Sequence, residues 1–254
     1  MVPLSTVEEA LHRFYIGAPG ARLRKEDRKK AIEVAGLLLE VERILARSKP
    51  GGLQIVDAAA GKAYVGLLTA ELLLPRMGRV AAITLVEREP KRAELIRRAI
   101  AEIPSLCAWP TSFTVLESEV ADAVVWPQEA DLVVALHACG AASDDIIDKV
   151  TSTRARNLLL VPCCTSDRVR ASATASRKAD DLGIPRHAAV RRRFIEAIVD
   201  AQRTLRLEAT GYETTVVPFV PPTVTPHNLL WRARRVAEPA RMAEAARHLA
   251  RLDG

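Results

Sequence analysis

The sequence predicts an α/β fold: a mostly parallel sheet of seven strands with helices on both faces and an antiparallel last strand. Three observations carry this. Short apolar runs bounded by turn residues recur between residues 53 and 234. Strand, small-residue turn and helix follow one another at 53–74 and again at 80–103, the opening of a parallel βα architecture. The last two runs lie about ten residues apart, too close for a helical crossover, which predicts an antiparallel return.

The chain has 254 residues, 49% hydrophobic and 27% charged, enough apolar material for a sizeable core and too much for global disorder. It divides into an N-terminal helical flank (1–49), a main domain (50–236) and a C-terminal helix (237–254), with 165–210 as a substrate lid and helix. Aromatic residues make up only 4%, which argues against a stacking platform for nucleic acid. The net charge is +6, and 29 of the 37 cations are arginine, so an anionic partner is permitted but not required.

Taken in order, residues 1–24 are punctuated by Gly17, Pro19 and Gly20 and carry little sustained pattern. Ile32, Ala35, Leu38, Leu39, Glu42 and Leu45 fall at helical spacing, behind a cationic start at Lys25, Arg28, Lys29 and Lys30. That start is either a solvated helix end or a surface meeting substrate phosphates. Pro50-Gly51-Gly52 ends the helix, and Leu53–Asp57 reads as a buried strand. The turn Ala58–Tyr64 then leads into an apolar helix from Val65 to Leu74. Small side chains in such a turn let backbone amides approach a ligand.

Val80–Glu87 is a second strand ending in a carboxylate, and Pro90 opens the next helix. An acid there can accept both hydroxyl protons of a ribose. The first turn is not G-x-G-x-x-G, which argues against a dinucleotide cofactor. Phe113–Leu116, Ala130–Leu136 and Asn157–Val161 are the third to fifth strands. A long helix over 189–209 precedes the last two, Glu213–Phe219 and Leu229–Arg234, with Gly211 as a C-cap. Met242, Ala245, Ala246 and Leu249 line one face of a terminal helix that packs back on the domain or meets a partner subunit.

Four blocks in this order resemble one family. They are Val56–Tyr64, Ala135-Leu136-His137-Ala138-Cys139-Gly140 with Asp144, Val161-Pro162-Cys163-Cys164, and Thr225-Pro226-His227-Asn228. Over roughly residues 29–236 the chain resembles the Rossmann-like class I S-adenosylmethionine-dependent methyltransferases. Within them it is similar to the group that includes Trm13-like transfer-RNA 2′-O-methyltransferases and bacterial members. Two departures stand out: Ala59 replaces a usual glycine, and His227 a usual lysine or arginine. The fold and cofactor therefore carry over, and the transfer-RNA substrate does not.

The resemblance implies that S-adenosyl-L-methionine is held by Asp57, Ala58, Ala59, Gly61 and Tyr64 at its methionine part and by Glu87 at its ribose. Glu117 and Ser118 would lie near the adenine edge. On the acceptor side stand His137, Cys139 and Asp144 as catalytic candidates. His137 either accepts a proton or holds a loop in shape, and Asp144 either serves the site or caps a helix with Ser143. The cysteines Cys139, Cys163 and Cys164 are open between buried apolar packing, a metal site with His137, and a thiolate nucleophile. Packing leads: no C-x₂-C pair exists for a metal, and no neighbouring cation in the sequence activates a thiolate. A disulfide scaffold is not expected.

Arg186, Arg191, Arg192, Arg193, Arg203 and Arg206 concentrate charge around the long helix, and Arg232, Arg234 and Arg235 around the last strand. They are either solvated surface or a seat for an anionic substrate. The function expected is methyl transfer to a small molecule or a structured RNA by a cytoplasmic monomer or homodimer, without a membrane span. The competing reading is a non-catalytic adaptor or RNA-binding protein that retains the fold.

Overall fold

The computed structural model describes residues 2–16, 22–124, 126–163 and 168–254. Cys164 and the Gly17–Gly20 punctuation lie outside the described residues. Two helices come first, α1 (Leu4–Tyr15) and α2 (Lys25–Leu45). Strand β1 (Leu53–Ala58) leads to α3 (Tyr64–Leu68), a π-helical turn (Thr69–Leu73) and α4 (Leu74–Met77). Then come β2 (Ala81–Glu87), α5 (Pro90–Glu102), α6 (Pro104–Cys107), β3 (Thr111–Glu117), β4 (Leu132–Ala138) and α7 (Ala142–Ser152). The chain closes with β5 (Asn157–Pro162), α8 (Ser172–Asp181), α9 (Ala189–Ala209), β6 (Tyr212–Pro218), β7 (Leu229–Arg235) and α10 (Pro239–Asp253).

All seven strands form one sheet in the order β3-β2-β1-β4-β5-β7-β6. Strands β1 to β5 pair in parallel, and β7 runs antiparallel to both β5 and β6. The expected architecture holds, last strand included. Alternate residues of a strand face opposite sides, so Leu53 and Ile55 of β1 enter the core beneath α2 while Val56 and Ala58 enter a second core beneath α7 and α9. Leu159 and Val161 of β5 join the first core, and Leu158 and Leu160 the second. Burial on both faces explains the continuous apolar runs.

The order reverses between β1 and β4. At such a switch point the loops leaving neighbouring strands diverge to opposite faces and open a crevice at the carboxyl edge. The ends of β1 and β4, which carry Asp57 and His137, both reach it.

Two details of the N-terminal flank were not legible in the sequence. Residues 4–15 are helical, with Val7, Ala10 and Leu11 buried against α2 and α3; the spacing Leu4, Val7, Leu11 is that of one helix face. Helix α2 buries Leu38 and Leu45 of the expected row together with Ala31, Val34, Leu37 and Val41, and leaves Ile32, Ala35, Leu39 and Glu42 half-buried. Its central segment is apolar nearly all round, so periodicity alone did not pick the face. The buried face also carries Glu33 and Glu40, whose partners come from distant strands.

Gly66 marks the closest approach of α3 to the sheet. A Cβ built there would lie 2.5 Å from Leu85 Cδ2 and 3.1 Å from Asp57 Oδ2, and the Gly66 amide donates to that same Oδ2 at 2.8 Å. Gly66→Ala is expected to destabilise the protein by about 1–3 kcal/mol, seen as a lowered denaturation midpoint with unchanged slope.

Candidate active site

The crevice is a cleft of about 790 Å³. Its floor is the turn after β1, where Ala59, Gly61 and Ala63 all adopt left-handed backbone with φ of 55°, 63° and 55°. That conformation is free for glycine and costs an alanine roughly 1 kcal/mol. Ala59 therefore occupies a backbone conformation that favours glycine, and bears the strain. Ala59, Gly61 and Tyr64 line the cleft. Ala58 does not; it is fully buried in the second core.

Two carboxylates shape this end. Asp57 is almost completely buried and accepts only the Gly66 amide among the described hydrogen bonds. Burial drives its carboxyl up to about 7; the Gly66 hydrogen bond opposes the rise, and the like charge of Glu87 adds to it. Glu87, also buried, accepts the amides of Gly61 at 2.7 Å and Glu89 at 2.8 Å. One side chain thus joins the first turn to the second. Helix α1 reaches the same turn: Tyr15 donates its hydroxyl to the Lys62 carbonyl at 2.6 Å and packs edge-on to Tyr64, ring centroids 4.7 Å apart.

Beyond β3 the expectations divide. Ser118 lines the cleft beside Glu119 and Val120. Glu117 does not: it is exposed and pairs with Arg97 of α5 at 3.3 Å.

At the end of β4, His137 has φ +63° where the register with β5 shifts between Leu136 and Ala138. This bulge turns the imidazole to Glu33 of α2, with Nε2 to Oε2 at 2.8 Å. Glu33 is also paired with Lys30. Burial raises the Glu33 carboxyl, yet hydrogen bonds from His137 and Lys30 outweigh it and hold Glu33 below the ordinary carboxylate range. An ionised Glu33 accepts, so Nε2 of His137 donates in this bond. Sequence reading missed Glu33, although a lone acid in the apolar run AIEVAGLLL was a signal.

Cys139 lines the cleft but is no thiol; it forms a disulfide with Cys163, across Cα atoms 5.3 Å apart. This corrects the expectation of free cysteines. It removes Cys139 and Cys163 as nucleophiles and as metal ligands, and among the described residues no cluster of three His, Cys, Asp or Glu side chains could hold a metal. Parallel neighbours β4 and β5 end side by side, which brings the two cysteines within bonding reach.

Asp144 is absent from the cleft. It is buried under α9, with Oδ1 2.9 Å from Arg206 Nη1 and Oδ2 accepting the Arg170 amide. Nor is it a cap: Ser143 instead donates its hydroxyl to the Ala138 carbonyl. Arg203 and Arg206, expected on a surface or at a substrate, are structural cations between α7 and α9. Arg191 likewise ties α9 to α8 through the carbonyls of Ile184 and Ser176. The block 225–228 is a turn closed by the Thr225 hydroxyl accepting the His227 amide and by Asn228 donating to the Val220 carbonyl. Helix α10 packs back along α9.

Two outcomes follow from this geometry. Alkylation of denatured, unreduced protein should leave Cys139 and Cys163 unlabelled and joined in one cross-linked peptide; two labelled peptides would refute the bond. Asp57 binds its proton more tightly folded than unfolded, so its contribution to stability falls as pH rises from about 4 to about 7. Asp57→Asn should flatten that slope and raise the melting temperature at pH 8, as followed by calorimetry.

Known proteins agree with the topology. The profile of a family described as "Methyltransferase domain" matches residues 29–170, more than half of the chain. No protein of curated function matches the sequence. Among solved structures, magnesium protoporphyrin IX methyltransferase from Synechocystis PCC 6803 with bound S-adenosylmethionine superposes at a TM-score of 0.51. It shares 13% identity, over 93% of this chain and 98% of that one. A Listeria monocytogenes protein assigned as a class I S-adenosylmethionine-dependent methyltransferase gives a TM-score of 0.52 at 10% identity, over 100% of this chain and 82% of that one. At such identities the likeness speaks to the fold. The chain belongs to the methyltransferase-domain family, and its fold is that of the class I S-adenosylmethionine-dependent methyltransferases.

Proposed function

We propose that this protein transfers a methyl group from S-adenosylmethionine to a small-molecule acceptor that enters the cleft beside His137. The observation that carries the proposal is that Asp57, the Gly61 turn, Glu87 and His137 all line one cleft at the switch point of the sheet. The residues fit the cofactor. Two buried carboxylates of like charge stand at adjacent strand ends, and Asp57 is pushed towards its neutral form with no cation among the described residues to relieve it. A ligand bearing an ammonium or sulfonium centre supplies the missing positive charge, and Glu87 has lone pairs left for ribose hydroxyls.

When bound, the cofactor supplies a methyl carbon activated by its sulfonium, so the protein mainly aligns the acceptor and excludes water. His137, oriented by Glu33, takes the acceptor's proton at Nδ1 where the acceptor must lose one. Glu33 touches neither ligand in this scheme; it positions the imidazole. The lining is balanced, with five Lys or Arg against five Asp or Glu, and Lys30, Arg88 and Arg92 are already paired with acids. A cleft without cationic surplus favours a small acceptor over a phosphate backbone.

Titration calorimetry tests the cofactor assignment. Binding should weaken as pH falls below about 7, because the cationic ligand competes with the Asp57 proton, and should release protons in that range. Asp57→Asn should lower affinity by about tenfold or more and abolish the pH dependence. No binding at any pH would overturn the cofactor assignment. Binding without transfer of a radiolabelled methyl group to fractionated metabolite or RNA pools would overturn the catalytic one.

A further inference from the structure

A second and slightly larger cleft, about 890 Å³, lies at the opposite edge of the sheet, between the end of α2, the segment leading into β5, and the paired strands β6 and β7. Its composition differs sharply from that of the crevice. Eight cations line it against four acids, a surplus of four in a chain whose whole net charge is +6. They come from three places: the end of α2, the 154–156 segment, and the last residues of β7.

Three of the acids are already engaged. Glu40 lies between Arg43 at 2.6 Å and Arg232 at 2.8 Å, Glu213 holds Arg234 at 2.7 Å, and Asp131 is 3.7 Å from Arg156. Arg47, Lys49, Arg154 and Arg235 form no salt bridge among the described residues, and the Nε of Arg232 is buried without a hydrogen-bond partner. Like charges gathered this way repel one another, a cost that a bound anion removes.

Arg154 adds an independent sign. It follows α7 at φ +58°, where the Ala155 amide returns to the Val150 carbonyl at 3.1 Å and glycine is the usual occupant. A side chain there costs roughly 1 kcal/mol, and this one is an arginine on the cleft wall.

We propose that this cleft is a binding site for a phosphate-bearing ligand, with Arg47, Arg154 and Arg235 as its unpaired donors. Guanidinium groups match phosphate oxygens in bidentate geometry, and the surplus charge suits a multiply charged anion rather than a single carboxylate. The site is remote from the methyl-transfer crevice and does not rest on the function proposed for it. A free polyphosphate and the backbone of an RNA present the same chemistry.

The test measures binding, not activity. Full-length protein is titrated with inorganic pyrophosphate by calorimetry and with a labelled RNA stem-loop by fluorescence anisotropy, at constant ionic strength set with chloride. The double variant Arg154→Glu/Arg235→Glu is compared with Arg154→Gly, which removes the charge where the backbone favours glycine, and with Arg98→Glu on the exposed face of α5 as a general charge control. Saturable one-site binding of either probe should weaken about tenfold or more in the double variant, weaken in Arg154→Gly, and persist in Arg98→Glu. Pyrophosphate binding identifies a free anion as the source, and RNA binding alone identifies the backbone. Failure of both probes to bind the wild type overturns the proposal, as does equal affinity in wild type and the double variant.

Discussion

The site is organised by two like-charged carboxylates held at the ends of adjacent parallel strands with little water to screen them. Asp57 and Glu87 come together because β1 and β2 pair in register, Asp57 opposite Leu85, which leaves both acids at the same carboxyl edge. Glu87 is tolerable there because two backbone amides donate to it. Asp57 has one amide and responds by holding its proton to about 7. The imbalance makes the pocket receptive to a cation, and the left-handed turn between them gives the ligand close access to backbone.

The same economy of charge runs through the rest of the molecule. Glu33 and Glu40 lie seven residues apart on the buried side of α2, yet they serve different ends of the sheet. Glu33 meets His137 at the carboxyl edge, and Glu40 meets Arg232 at the amino edge. Either acid alone beneath a helix would carry an uncompensated desolvation cost of several kcal/mol. Each pairing therefore ties α2 to one particular strand. On the other face, Asp144 and Asp148 hold Arg206 and Arg170, binding α7, α9 and the segment ahead of α8 into one charged layer.

A mechanical consequence follows for the acceptor side. The Cys139–Cys163 bond joins the loops that leave β4 and β5, next to the bulge that aims His137. Helix α1 closes the other side through Tyr15 on Lys62 and Tyr64. The cleft is thus held at both rims by contacts between segments far apart in the chain. The arginine-rich cleft lies at the opposite edge of the sheet and shares no lining residue with the crevice.

What the sequence determined by itself was the architecture and the two acids at the ends of β1 and β2. The central strands were legible because apolar runs buried on two faces leave a clear pattern, whereas the edge strand β3, half exposed, was only weakly marked. Asp57 and Glu87 were legible as acids closing buried runs. Covalent neighbours suffice for these. Tertiary structure alone decided the pairings: that Glu33 orients His137, that Cys139 finds Cys163, that Asp144 is spent on Arg206, and that Glu117, expected at the cofactor, turns outward to Arg97. Each of these is a pairing across at least twenty residues, set by which strand ends and helix faces the fold brings together. No local periodicity encodes it, because the energy of a buried charge or thiol depends on the partner it meets rather than on its place in the chain.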